Sequence, residues 1–472
     1  MKEYDIIVAG ASTTGSWFAE KMASQGFKVL MLEKNSRDGI SRNYDVFHMA
    51  KGEMEKFGYP VPVEGDIDYA FEFVGGAAYS AYGNYPKKTH TETVGMHKHE
   101  YILRLNDNAV KAGAELIYEA AFSDFIYNED GKIIGAKYLT ETGEHEAYAK
   151  IVADCTGIPS AARRKLPDGY GVENFEITPR DMFYVIIYYV RYPETHEKII
   201  HTDSFLQYKC WSAPSADENG GILGVGANLS FEYAEEMFKV FSKNVPLPPY
   251  ELLKEERGAT PYRRPPYSFV ADGFIAMGDA ACLTKPNNGE GCTSSIYQAD
   301  IAAEVISKAL REGGYLTRER LWSINKRYID VQGKAFASNL AMLTGAAGLN
   351  AQENEYFFKH DIIFSEKMFQ NITGGISLSP ADIAKMLHYV NLGVTLGKLR
   401  ISFLASVTKA FINGMNVASH YESFPETPEG FEEWVKHADA LWNTVGSMAD
   451  NCDEEIVRRI EERKDEKDTV NV

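Results

Sequence analysis

The first 35 residues constrain the fold more than any other stretch of the chain. Tyr4 to Ala9 is a short apolar run, as in a buried parallel strand, and a turn of small residues follows from Gly10 to Gly15. Helical spacing continues from Ser16 to Gln25, Gly26 ends it as a C-cap glycine, and Lys28 to Leu32 is a second strand. The sequence therefore predicts a βαβ unit at the start of a parallel sheet.

The residues of the turn predict the ligand of this unit. A dinucleotide-binding turn needs glycines for a tight bend and for close approach of its backbone to phosphate. Gly10 and Gly15 take the first and third glycine positions, and Ser12, whose hydroxyl is small enough to fit, takes the second. Glu33 follows Gly10 by 23 residues, at the strand end where a carboxylate accepts hydrogen bonds from ribose hydroxyls. A carboxylate there disfavours a 2′-phosphate, so we expect a dinucleotide other than NADP.

Two later segments have the same style. Ile151 to Asp154 is a short apolar strand that leads into the Asp154-Cys155-Thr156-Gly157 turn. Phe274 to Met277 is another, and it leads into Gly278-Asp279 and then a Pro286–Gly291 turn. An aspartate at such a strand end can hold a ribose or ribityl hydroxyl, and backbone N–H groups at a helix start favour negative charge. An N-cap aspartate in an ordinary loop is the alternative for Asp279.

The remaining chain divides into strands and then helices. Residues 180 to 230 are rich in Tyr, Ile, Val and Phe and predict long antiparallel strands, whereas nearly everything beyond Thr284 has helical periodicity. The predicted fold class is thus α/β, with a Rossmann-like parallel sheet, an interleaved antiparallel sheet and a helical C-terminal region.

Charge and cysteine content exclude several classes of function. The 49 Lys and Arg against 67 Asp and Glu leave a net charge of −18, which repels a nucleic-acid backbone. The five cysteines are scattered and form no CxxC pair, which argues against a disulfide framework, a zinc site or an iron–sulfur cluster. We therefore expect a protein of the cytoplasm with no metal and no nucleic-acid partner.

The N-terminus does not resemble a signal peptide, because charges of both signs precede a short apolar run. The most apolar later stretch, Leu396 to Val417, is interrupted by Lys398, Arg400 and Lys409. It predicts a buried amphipathic helix and leaves a peripheral membrane contact open.

Taken together, the three turns resemble a known family. The Gly10 turn with Glu33, the Asp154-x-x-Gly157 segment and the Gly278-Asp279 motif occur in this order in the flavoprotein hydroxylase superfamily, with a spacing most similar to its geranylgeranyl reductase branch. The resemblance spans about residues 4 to 310 and implies an extended FAD. The residues it implies at the cofactor are Gly10, Ala11, Ser12, Thr13, Thr14, Gly15, Glu33, Lys34, Arg42, Lys98, Asp154, Gly157, Gly278, Asp279, Gly289, Gly291 and Cys292.

The same resemblance implies a substrate wall and a division into domains. Tyr208, Trp211 and Pro214 match a segment that faces the flavin in the reductase branch, and an aromatic wall there positions an apolar substrate. The implied division is 1–80, 95–175 and 265–310 for the FAD-binding domain, 81–94 and 176–264 for the antiparallel substrate domain, and 311–472 for the helical region.

Two departures from the family pattern concern the substrate side. Arg37 to Phe47 contains no cysteine, although the family usually has a Cys-Gly pair there, and Lys98 stands where an arginine is common. No catalytic acid or base is assigned.

The preferred hypothesis is an FAD-dependent enzyme that reduces a carbon–carbon double bond of an apolar, isoprenoid-like substrate by hydride transfer through flavin N5. Its electrons would come from an external donor, either a nicotinamide or a redox protein. An aromatic monooxygenase, an electron-transfer flavoprotein dehydrogenase and a flavin-free module for prenylated ligands remain alternatives, and Ser12 keeps the last one open.

Overall fold

The computed structural model describes residues 3–194, 201–202, 208–217, 219–245, 247–286, 289–362, 364–367 and 379–470. The strands are β1 (Ile6–Ala9), β2 (Val29–Leu32), β3 (Val46–Ala50), β4 (Tyr69–Ala78), β5 (Lys87–His97), β6 (Glu115–Ile117), β7 (Ala121–Tyr127), β8 (Ile133–Thr140), β9 (Gly143–Tyr148), β10 (Ile151–Asp154), β11 (Met182–Arg191), β12 (His201–Thr202), β13 (Tyr208–Pro214), β14 (Gly220–Asn228), β15 (Glu251–Pro261), β16 (Val270–Ala271) and β17 (Phe274–Ala276). The α-helices are α1 (Thr13–Ala23), α2 (Lys51–Phe57), α3 (Lys98–Lys111), α4 (Phe231–Asn244), α5 (Cys292–Glu312), α6 (Arg318–Leu321), α7 (Ser323–Tyr328), α8 (Lys334–Ala346), α9 (Ala351–His360), α10 (Pro380–Thr395), α11 (Ile401–Glu422), α12 (Phe431–Trp442) and α13 (Glu454–Val470).

A six-stranded sheet in the order β16-β17-β10-β1-β2-β6 forms the nucleotide-binding layer. Its strands pair in parallel from β17 to β6, and β16 alone is antiparallel. Every residue of β1, β2 and β10 is buried, so both faces of these parallel strands are covered, by α1 and by the neighbouring β-strand layer that contacts β10. The predicted βαβ opening and the two later parallel strands are confirmed, and their carboxyl ends meet at one edge of the sheet.

A second sheet has eight strands in the order β15-β11-β14-β13-β12-β4-β5-β3, and all its pairs are antiparallel except β12 with β4. The predicted α/β class with an interleaved antiparallel sheet is therefore confirmed. Strands β3 and β4 lie in this sheet, although the sequence-based division assigned both to the FAD-binding domain. Pairing with strands far along the chain decides their place, since Val46 of β3 pairs with His97 and Ala77 of β4 pairs with His201. Such pairing leaves no local signal. A separate three-stranded sheet, β7-β8-β9, flanks the first layer.

The two faces of the eight-stranded sheet have different neighbours. One face packs against α4 and the C-terminal helices in a core that includes Tyr208, Cys210, Tyr233 and Phe357. The opposite face carries a smaller apolar cluster around Phe71 and Ile222, against which the half-buried Trp211 and Tyr189 pack. Because side chains alternate along a strand, each position of β13 belongs to one face only.

The C-terminal helices pack closely where glycines allow it. A Cβ at Gly345 of α8 would lie 2.5 Å from the Cβ of Ala410 in α11, and one at Gly414 of α11 would lie 2.5 Å from the Cγ of Met342. Bare glycine surfaces thus bring α8 and α11 together along one face of each helix. No helix in the described part of the chain is both long enough and apolar enough to cross a bilayer.

Candidate functional site

The backbone of the first turn, Gly10 to Gly15, closely contacts the backbone that follows β10. Gly10 has φ +104, and a Cβ there would lie 2.2 Å from the carbonyl oxygen of Cys155. A Cβ at Gly15 would lie 2.0 Å from the Gly10 carbonyl oxygen. Only glycine fits these two positions, because both neighbours are backbone and cannot rotate away. The turn is therefore a bare backbone surface beside the start of α1, whose Ser12 N-cap has no side-chain cap.

The Glu33 carboxylate is held against this turn. Its Oε2 accepts from the Ala11 N–H at 3.1 Å, and its Oε1 accepts from the backbone and side-chain nitrogens of Asn35 at 2.9 and 2.8 Å. Glu33 is only 5% exposed, whereas Lys34 beside it points to solvent. The carboxylate is thus fixed at the end of β2, in the position that suits ribose hydroxyls.

Asp154 organises a turn rather than offering a free carboxylate. Its Oδ1 accepts from the Thr156 N–H and hydroxyl at 3.0 and 2.7 Å, and its Oδ2 accepts from the Arg163 N–H at 2.6 Å. Burial raises the pKa of Asp154, and these hydrogen bonds oppose the shift. The side chain therefore stabilises the loop that holds Cys155 against Gly10, and Gly157 lies within that loop at φ +75.

The Gly278-Asp279 segment also lies against the start of α1. A Cβ at Gly278, where φ is +62, would lie 2.7 Å from the Oγ1 of Thr14. A Cβ at Gly291 would lie 3.2 Å from the Oδ1 of Asp279, so the start of α5 closes on this aspartate. The three separated turns are thus brought together around residues 10–15.

Lys98, Asp279 and Cys292, all predicted at the cofactor, influence one another's pKa beside these turns. Lys98 begins α3, its Nζ donates to the Asn43 Oδ1 at 2.8 Å, and it is half-buried. Burial lowers the pKa of Lys98, and the nearby Cys292, Asp279 and Glu256 oppose that shift. Burial raises the pKa of Asp279, and Lys98 opposes it in turn. A half-buried cation therefore lies near both the Gly278-Asp279 segment and the start of α5.

The Glu290 carboxylate binds a backbone N–H group in the first turn of α5. Glu290 accepts from the Thr293 N–H at 2.7 Å and pairs with Lys285 at 2.8 Å. Burial disfavours the charged form, but the Lys285 ammonium and the Thr293 donors outweigh it and lower the pKa of Glu290. The predicted helix start is therefore confirmed, while its Thr293 N–H is already satisfied within the chain. Gly289 has φ +79 beside Tyr262, and Asn287 and Asn288 of the predicted turn lie outside the described residues.

We expect Cys292 to react slowly with alkylating agents. Burial raises the pKa of this thiol to about 12 from 9.0, with Glu290 and Asp279 adding to the shift. At pH 8 it should hold about a thousandfold less thiolate than an ordinary cysteine, and iodoacetamide labelling followed by mass spectrometry measures this. The folded protein keeps the Cys292 proton at a pH where the unfolded protein loses it. The free energy of unfolding should therefore fall as the pH rises from about 9 to 12.

The fully unfolded protein serves as the control for this labelling, since its thiols regain their ordinary pKa. Labelling of native Cys292 at the unfolded rate at pH 8 would contradict the prediction.

Arg42 is not brought to the turns. It is exposed, and its Nε donates to the Asp38 carbonyl at 2.9 Å in its own loop. Short-range hydrogen bonding of a long, solvated side chain accounts for its position, and its role as a cofactor contact stays a prediction.

An aromatic wall lies on the face of the eight-stranded sheet that carries Trp211. Its aromatic side chains cover glycines of the sheet: a Cβ at Gly224 would lie 2.0 Å from the Trp211 ring, one at Gly226 would lie 2.2 Å from the Phe183 ring, and one at Gly258 would lie 2.1 Å from the Tyr44 hydroxyl. Phe183 also packs on Tyr262, which in turn adjoins Gly289. The wall therefore runs from the antiparallel sheet to the start of α5.

The structure separates the three residues predicted at the substrate. Trp211 belongs to the aromatic wall and is half-buried, whereas Tyr208 is 3% exposed within the core on the other face. They are three positions apart on β13, so strand alternation places them on opposite sides. Pro214 is buried at the strand end, where it pairs with Gly221. A linear motif match does not reveal this alternation, and only Trp211 is positioned to contact a ligand beside the wall.

Sequence reasoning did not identify several residues around the wall. Glu256 accepts from the Tyr189 hydroxyl at 2.8 Å and the Asp45 N–H at 2.9 Å, which fixes the segment that precedes β3. Burial lowers the pKa of His48, and Glu290 opposes the shift. Strand alternation around Gly258 is the one sequence signal that could have indicated Glu256.

Comparisons with known proteins agree with this geometry. No protein-family model matches the chain. The digeranylgeranylglycerophospholipid reductase of Sulfolobus acidocaldarius is 24% identical over 452 residues, which cover 93% of this chain and 98% of that protein. The digeranylgeranylglycerophospholipid reductase 2 of Methanopyrus kandleri is 26% identical over 324 residues, which cover 66% of this chain and 78% of the relative.

Solved structures share the fold over most of its length. A geranylgeranyl bacteriochlorophyll reductase-like protein from Thermoplasma acidophilum superimposes with a TM-score of 0.68 at 18% identity, covering 93% of this chain and 100% of that one. The myxobacterial chondrochloren halogenase, an FAD-dependent halogenase, superimposes with a TM-score of 0.60 at 15% identity, covering 88% and 98%. The predicted resemblance to the geranylgeranyl reductase branch and the predicted fold class are confirmed.

Proposed function

We propose that this chain is an FAD-dependent oxidoreductase that reduces a carbon–carbon double bond of an apolar, isoprenoid-like lipid. The observation that carries the proposal is the junction of three separated turns around residues 10–15, where glycines at 10, 15 and 278 leave bare backbone. The relatives named digeranylgeranylglycerophospholipid reductases support the substrate class.

The residues at this junction fit an extended dinucleotide. Gly10, Gly15 and the start of α1 suit a diphosphate, because helix N–H groups point to the place where the backbone is bare. The fixed Glu33 carboxylate suits the adenosine ribose, and Asp279 with Lys98 suits the hydroxyl and phosphate groups further along. Asp154 holds the loop that closes the far side of the turn.

When bound, the flavin would supply hydride transfer at N5. The protein's own part is to orient and to exclude water. The half-buried Trp211 and Tyr44 present aromatic surface to a ligand, the buried Phe183 supports the wall behind them, and the Lys285–Glu290 pair keeps the start of α5 in place. The electron donor, a nicotinamide or a redox protein, is part of the proposal.

The experiment follows the colour of the purified protein. We expect flavin absorbance that anaerobic dithionite removes and that an unsaturated isoprenoid phospholipid restores, while the fully saturated form of the same lipid does not. The saturated lipid is the matched control, since it has the same headgroup and chain length.

Three other results would each replace the proposal. Reoxidation only by oxygen in the presence of a phenol would indicate a monooxygenase, and reoxidation only by a quinone would indicate a dehydrogenase. A colourless protein that fails to bind added FAD would indicate a flavin-free binding module.

A further inference from the structure

The outer sides of α10 and α11 form an apolar surface that the described part of the molecule leaves uncovered. Eight of the twenty large apolar side chains that are exposed among the described residues lie between positions 383 and 415. The most exposed are Ile401, Leu387 and Leu396, at 73%, 60% and 59%. Exposed apolar side chains concentrated in this way mark an interaction site. We call the outer sides of these two helices, from Ile383 to Met415, the apolar surface.

The exposure is not a consequence of poor packing of α11. Its inner side is buried at Phe403, Ala410, Gly414 and Val417, and Gly414 approaches α8 closely. Its outer side carries Ile401 and Ile412 in one shallow groove at helical spacing. The helix is therefore apolar on both sides, and only one side has a partner within the described residues.

The charges around the apolar surface differ in sign from those of the whole protein. The chain has a net charge of −18, yet positions 383 to 421 contain four Lys or Arg and no Asp or Glu. Lys385 pairs with Asp361 and Arg400 with Glu353. Lys398 and Lys409 are exposed, and neither forms an ion pair with a described residue. The surface thus combines apolar side chains with two available cations.

We propose that the apolar surface docks the protein on the face of a lipid bilayer that contains anionic lipids. Helices with exposed apolar residues and flanking lysines lie in the headgroup region, where each basic residue gains from the negative surface. A second copy of the chain fits less well, because a symmetric contact would enclose Lys398 and Lys409 of both copies in one apolar interface. The inference deepens the proposed function, on which it rests for its purpose, by naming the surface through which the enzyme would meet a lipid substrate.

Vesicle co-sedimentation of the full-length purified protein tests this surface. We expect binding to phosphatidylcholine vesicles that contain phosphatidylglycerol, weaker binding to pure phosphatidylcholine, and loss of the difference at high salt. Ile401→Ser should weaken binding about tenfold, because it removes the most exposed apolar side chain of the surface. Ile67→Ser is the matched control, since Ile67 is 74% exposed on another part of the molecule.

A charge variant separates the two contributions. Lys398→Gln with Lys409→Gln should remove the preference for phosphatidylglycerol while leaving the weaker binding to phosphatidylcholine. No binding by the unchanged protein, or equal weakening by Ile67→Ser and Ile401→Ser, would overturn the proposal. A dimer in light scattering that Ile401→Ser dissociates would also overturn it, in favour of a second copy.

The flavin readouts keep this test distinct from the proposed function. Turnover of a detergent-dispersed lipid by Ile401→Ser should equal that of the unchanged protein, since the flavin turns are intact. Vesicle binding by a protein that holds no flavin would refute the proposed function alone.

Discussion

Gly10→Ala should lower flavin affinity about hundredfold. The new Cβ would lie 2.2 Å from the Cys155 carbonyl oxygen, and two backbone segments must move apart to relieve the contact. Overpacking of this kind costs up to about 3 kcal/mol, which corresponds to about two decades in an equilibrium constant. Titration of the flavin-free protein with FAD, followed by fluorescence, measures the effect.

Gly26→Ala is the control for the clash. Gly26 also has a positive φ, +87 against +104 at Gly10, but a Cβ there meets nothing within 4 Å. Both variants carry backbone strain, and only Gly10→Ala adds the contact with Cys155. Equal flavin affinities for the two variants would contradict the assignment of the turn.

A double variant tests the junction without relying on Gly10. Gly278→Ala should weaken flavin binding and lower the melting temperature, because its Cβ would lie 2.7 Å from the Thr14 Oγ1. Thr14→Ala removes that oxygen and should restore part of the melting temperature in the double variant. Strict additivity would show that the two segments do not meet.

Trp211→Ala should lower lipid turnover by roughly tenfold to a hundredfold while leaving the flavin spectrum unchanged. The ring covers Gly224 and is half-buried on the aromatic wall, so its removal widens the space that positions the substrate. Initial rates with the unsaturated phospholipid, measured beside the bound-flavin content, give the result.

Tyr208→Phe is the matched control on the same strand. Tyr208 lies in the core on the other face, so we expect turnover within about twofold of the unchanged protein and a change in stability only. A large loss of turnover in Tyr208→Phe together with normal turnover in Trp211→Ala would reverse our assignment of the two faces.

The sequence predicted the parts of the site that depend on local backbone. Gly10, Gly15 and Gly278 are recognisable because a bare backbone is a requirement that only glycine meets, and Glu33 follows from strand length. These positions were correctly brought to one junction.

The pairing of strands far apart in sequence, and the face of the sheet on which each side chain lies, were not predictable in the same way. Strands β3 and β4 joined the antiparallel sheet through distant partners, and Tyr208 turned to the opposite face from Trp211. The engagement of Thr293 by Glu290 also has no signature beyond a common capping pattern. Each depends on which segments become neighbours, and composition does not report that.

At the aromatic wall, the residues that hold the β-sheet together are different from the residues that shape its surface. Gly224, Gly226 and Gly258 belong to the paired backbone of the sheet, and the rings that cover them come from other positions. A ring can therefore be exchanged for a smaller or larger one while the hydrogen-bonded frame beneath it keeps its register. Substitution of a single aromatic side chain should therefore change the bulk of the lipid chain that fits beside the wall, while the β-sheet beneath stays unaltered.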